Sequence, residues 1–87
     1  MDVALELLKL KLGITTNKRD VILINVLESV LIELKEVQGI KLELKNKSHL
    51  FFLIDYAEFR YKGGGVLPRH LQWRMNNFYI KVGGKND

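Results

Sequence analysis

From Val21 to Val37 the chain runs without a glycine or a proline. At about 100° per residue, Leu23, Val26, Leu27, Val30, Leu31, Leu34 and Val37 gather on one broad face. Asn25, Glu28, Ser29, Glu33 and Glu36 gather on the other. That segregation predicts an amphipathic helix, and it sets the frame for the remaining chain. Thr15, Thr16 and Asn17 offer N-cap oxygens just upstream, and Asp20 would sit near the positive end of the helix dipole. Val21 and Ile32 break the pattern: both fall within the polar face, almost on one line. They are either tolerated surface residues or a contact with another subunit.

Glycine divides the rest. Gly13, Gly39 and Gly63 each follow an apolar, helix-compatible stretch, where a helix C-terminus favours a residue free to take positive φ. Asp2–Leu12 is expected as a first helix, with Val3, Leu7 and Leu10 on one face. A third is expected to open at Ser48 as N-cap and end at Lys62, with Leu50, Leu53, Ile54, Ala57 and Tyr61 as its core stripe. Phe52, Tyr56 and Phe59 form a second stripe, so this helix must be covered on two sides. A fourth is expected from Pro68, suited to a first helical position. Its Leu71, Met75, Phe78 and Val82 point one way, and Trp73 and Ile80 roughly opposite. Trp73 between Arg69 and Arg74 has the composition of an interface hot spot, or else packs against helix three. The expected fold is one all-α domain over residues 1–87, a small bundle of about four helices. A short β pairing between residues 8–12 and 40–45, which both alternate apolar and polar, is the rival local reading.

A chain of 87 residues that is 47% apolar holds more apolar surface than a domain of this size can hide, which predicts oligomerisation or docking on a partner. There is no cysteine, so no disulfide and no thiolate metal site; a reducing interior or a virion is the expected setting. The start, Met1-Asp2-Val3, lacks a basic signal-peptide region, and no apolar run approaches the ~20 residues of a membrane span, so no membrane partner is expected. Residues 1–44 hold 6 Lys+Arg against 7 Asp+Glu, and residues 45–87 hold 8 against 3. The basic second half could face nucleic acid, an acidic protein or solvent.

Residues that could carry chemistry are sparse. His49 and His70 are not at metal-ligand spacing with other donors, and Ser29 and Ser48 have no histidine at a recognisable nucleophile spacing. Asp55 and Glu58 read as a solvated helical pair. Neither Lys62-Gly63-Gly64-Gly65 nor Gly83-Gly84-Lys85-Asn86 completes a phosphate loop. No catalytic residue, metal or cofactor is expected. The alternative to protein docking is a small basic helical nucleic-acid-binding or regulatory protein using Arg69, His70, Arg74 and Lys81, with Trp73 for stacking.

The order of the pieces adds one further expectation. Leu12-Gly13-Ile14 closes a leucine-rich helix, and a second helix opens around Asn17 to Asp20. Phe52-Leu53-Ile54-Asp55-Tyr56-Ala57-Glu58-Phe59-Arg60-Tyr61 leads through a glycine turn to Leu67-Pro68-Arg69-His70-Leu71-Gln72-Trp73-Arg74. This resembles the small head–tail connector (adaptor) proteins of tailed bacteriophages and prophages. The resemblance implies a non-enzymatic protein of the virion, assembled in the host bacterial cytoplasm. It further implies a ring of copies docked on the portal, joined to a downstream connector or tail protein, with DNA passing through the channel without sequence-specific binding. The interface residues this reading selects are Val21, Ile32, Phe52, Tyr56, Phe59, Trp73 and Ile80. Two departures are a short Gly63-Gly64-Gly65-Val66 link before the last segment and a basic Lys18-Arg19 where the family is often acidic.

Overall fold

The computed structural model describes the backbone of residues 2–86 and the side chains of residues 2–78. The described residues form four helices, α1 (Asp2–Leu12), α2 (Asp20–Glu36), α3 (Lys47–Tyr61) and α4 (Arg69–Asn86). Among the described residues there is no strand.

Each glycine stop behaves as its chemistry dictates. Gly13 (φ 73°), Gly39 (φ 70°) and Gly63 (φ 115°) take the left-handed backbone, and the chain folds back onto the helix it leaves. The Ile14 amide donates to the Lys9 carbonyl at 2.9 Å, and the Gly64 amide to that of Phe59 at 3.1 Å, which satisfies carbonyls the last turn would otherwise leave open. The helix starts differ from expectation. None of Thr15, Thr16 and Asn17 caps α2: the residue at its N-cap is Arg19, with no side-chain capping bond. Asn17 instead accepts a hydrogen bond from the Lys9 ammonium at 2.9 Å. Asn46, rather than Ser48, caps α3, its Oδ1 accepting from the Ser48 and His49 amides. Pro68 lies immediately before α4, and its carbonyl receives the Gln72 amide at 3.0 Å.

The β pairing does not form. Residues 8–12 belong to α1, where Leu8 is buried while Leu10 is 76% exposed. Residues 40–43 form a connector without regular structure and 44–45 a turn: Ile40 and Leu42 are buried, and Lys41, Glu43 and Lys45 are exposed. The alternation is therefore real, but it arises from a single irregular connector that buries Ile40 and Leu42 in the core rather than from a ladder.

Helix α3 lies at the centre and packs against α1, α2 and α4, whereas among the described residues α4 packs against α3 alone. The core joins Ala4, Leu5 and Leu8 of α1 to Leu23, Leu27, Val30 and Leu34 of α2, with Phe52, Leu53, Ile54 and Ala57 of α3 and Leu71 and Met75 of α4. Two expected faces are corrected here. On α1 the buried side is Ala4, Leu5 and Leu8, while Val3 and Leu10 turn outward and Leu7 is half-buried at the edge of the core. On α2, Val37 is exposed just past the helix end.

Candidate docking surface

Three carboxylates, those of Asp20, Asp55 and Glu33, tie the helices together. Lys9, only 6% exposed, pairs with Asp20 at the start of α2 at 2.9 Å. Two residues on, and so roughly 200° around α1, Lys11 reaches the opposite way to Asp55 of α3 at 2.8 Å. Arg74 of α4 grips the other Asp55 oxygen at 2.5 Å, its guanidinium 5.3 Å from the centre of the Phe52 ring. One carboxylate thus ties α1, α3 and α4 together. Burial alone would raise the Asp55 pKa, but hydrogen bonds and charge from Lys11 and Arg74 more than offset this and hold it below the ordinary value. The same bond raises the Lys11 pKa. Across the bundle, Glu33 of α2 accepts from Arg60 and, at 3.1 Å, from the Tyr56 hydroxyl. The Arg60 bond holds Glu33 below its usual range, and burial pushes Tyr56 up.

Around this frame, two of the exposed apolar side chains, Leu10 and Phe51, share a groove. A groove of about 520 Å³ runs between α1 and α3, lined by Leu7, Leu10, Ile54 and Phe51, with Lys11 and Asp55 at its edge. Phe51, half exposed, also walls a cleft of about 350 Å³ that extends over Ser48 and His49 to Arg74, Asn77 and Phe78 of α4. On the far side of α2, Val21 and Ile32 are 71% and 59% exposed, opposite the helix face that enters the core.

The residues singled out by sequence divide accordingly. Val21, Ile32 and Trp73 stand on the surface, and Trp73 is not packed under α3. Phe52 and Tyr56 are corrected: both are core, because Phe78 of α4 lies 5.0 Å from the Phe52 ring and Tyr56 is closed off by Glu33 and Arg60. Phe59 is half-buried beside Tyr56. The side chains of Ile80, Lys81 and Val82 lie outside the described residues. Of the basic candidates, Arg69 and His70 are exposed, while Arg74 is committed to Asp55. Asp55 and Glu58 are not a free solvated pair, since Lys11, Arg74 and Lys62 engage them. The sequence reading missed Leu10 and Phe51 as surface residues; for Phe51 the available signal was that it falls in neither apolar stripe of α3, whereas α1 is apolar on two sides and gives no such signal for Leu10.

Among the described residues, no cluster of His, Asp or Glu could hold a metal ion, and no helix is long and apolar enough to cross a membrane. No family model, curated protein or solved structure matches the chain.

Proposed function

We propose that this protein works by docking onto other protein chains, as a structural assembly component of the head–tail connector kind. The observation that carries the reading is the cluster of Leu10, Phe51 and their groove, together with Val21, Ile32 and Trp73, all exposed on a fold whose core is already filled. Apolar side chains grouped at a groove lose free energy by being covered, and a protein partner is the usual cover. The order of sequence elements supports a connector role, with the portal and a downstream connector or tail protein as the proposed partners. The nucleic-acid reading draws less support, since Arg74 is half-buried and engaged by Asp55, and only Arg69 and His70 of that set are exposed and described.

The test is direct binding of the purified chain to assembled portal rings of a phage or prophage that encodes it, followed by electron microscopy. Added density beneath the portal, lost on Trp73→Glu or Phe51→Asp substitution, is the expected result. Portal rings that remain bare, with tight and steeply salt-dependent binding to DNA instead, would replace this reading by the nucleic-acid one.

A further inference from the structure

The two exposed apolar surfaces are complementary to each other. On α3, Lys47, Phe51 and Asp55 follow at four-residue spacing and so form one column, each about 5–6 Å from the next. The Asp55 end of that column is electropositive on balance, because one carboxylate is shared by two cations, Lys11 and Arg74. Glu58 adds a weaker contact to Lys11 at 3.9 Å but is itself engaged by Lys62 at 3.2 Å. The column therefore reads positive, aromatic, positive. On the outer face of α2, Glu28, Ile32 and Glu36 follow at the same spacing and read negative, apolar, negative, with Lys35 to one side and Val21 two turns before Glu28. Both glutamates are exposed. The match survives reversal of the helix direction, since each column is symmetric in charge about its apolar centre.

Within one copy these surfaces cannot meet. Lys9 points α1 toward α2, and Lys11 turns the groove side toward α3, roughly 200° away. The Val21–Ile32 line lies on the side of α2 that faces away from the core.

We propose that the α1–α3 groove receives the outer face of α2 from a second copy of this chain, Ile32 against Phe51 and Leu10, with Glu28 and Glu36 facing Lys47 and the Lys11–Arg74 pair. The contact is head to tail, because the two halves are different patches on each copy. It rests on the docking reading and names the partner for this part of the surface.

A head-to-tail contact has a signature that a two-fold contact lacks. Phe51→Asp spoils the groove and leaves the α2 face intact; Ile32→Asp does the reverse. Both side chains are more than half exposed, so the fold should tolerate both changes, with far-ultraviolet circular dichroism as the check. Sedimentation velocity follows the wild-type chain from about 10 μM to about 1 mM, a range that detects weak contacts. The expected result is concentration-dependent association of wild type, weakened about tenfold or more in each variant. An equimolar mixture of the two variants should associate again and stop at two chains, since one intact groove and one intact α2 face remain. Leu10→Asp in place of Phe51→Asp should give the same pattern. Wild type that stays monomeric throughout, a mixture that stays monomeric, or Phe51→Asp that associates as wild type does overturns the proposal. Portal binding is read separately, so a failed self-contact with portal binding retained leaves the docking function standing.

Discussion

Removing the Asp55 carboxylate should loosen three helices at once. Lys11 and Arg74 contact its two oxygens at 2.8 and 2.5 Å, and Asp55 is about a quarter exposed. A hydrogen bond to a charged group contributes about 1.5–3 kcal/mol when sheltered. The Lys11 side chain is 43% exposed, so its share falls toward the small values of surface pairs. Together the two contacts contribute about 2 kcal/mol, against a total of about 4–13 kcal/mol for a domain of this length. Asp55→Ala should therefore lower the melting temperature by about 8–16 °C. The loss should fall most heavily on α4, which among the described residues packs on α3 alone, so its amide exchange should speed up more than that of α2. The pH dependence follows from the depressed pKa. A carboxyl held below its ordinary value of 3.8 contributes stability that is fully present above that value and is lost as pH falls through the folded pKa. The gap between wild type and Asp55→Asn should be constant near neutrality and close below about pH 4, at acidities where carboxyls take up protons. Thermal melts of both proteins at pH 7, 5 and 3 decide the matter. A neutral-pH difference under about 0.5 kcal/mol, the scale of an ordinary surface change, would refute the assignment of Asp55 as the shared tie.

Three further outcomes are expected. Phe52→Ala empties a fully buried ring that contacts Tyr56, Phe78 and the Arg74 guanidinium, and should cost about 3–5 kcal/mol in guanidinium unfolding. Asn46→Ala removes the side-chain oxygen that accepts from the Ser48 and His49 amides and should cost about 1 kcal/mol by the same measurement. Trp73→Ala should leave stability within about 0.5 kcal/mol, and the fluorescence of this single tryptophan should be quenched readily by acrylamide in the isolated chain, since the ring is 65% exposed.

Much of the backbone was legible in the sequence because its signals are local. Apolar spacing marks α2, and Gly13, Gly39 and Gly63 mark where helices end, since the positive φ they adopt excludes most other residues. The outward position of Val21 and Ile32 was legible for the same reason, as helical phase alone separates them from Leu23, Leu27, Val30 and Leu34. What could not be read depends on distant partners. Helix α1 is apolar on two sides, and nothing within it says whether Leu8 or Leu10 enters the core. That choice is set by Lys9 meeting Asp20 and Asn17, and Lys11 meeting Asp55. The Phe52–Tyr56 stripe was visible, but its cover was not: Phe78 comes from α4, and the Tyr56 hydroxyl finds Glu33 on α2. The same distance made Asp55 look solvated.

The position of α3 explains why the outer helices are left with exposed apolar residues. A helix wrapped by three others buries residues around most of its circumference, here Phe52, Leu53, Ile54, Tyr56 and Ala57. Each outer helix then needs only one apolar side to complete the core. Helix α1 nevertheless carries a second leucine face, and α2 carries Val21 and Ile32 beyond its packed side. Those extra side chains add nothing to the interior and leave the monomer with apolar surface in water. Had they been solvated by accident, no common charge pattern would be expected around them. Instead Ile32 lies between two glutamates, and Phe51 lies between a lysine and a carboxylate claimed by two cations. Opposite charge at equal spacing around two apolar centres is what a contact between different patches of one chain requires, since it favours that pairing and disfavours either patch against itself.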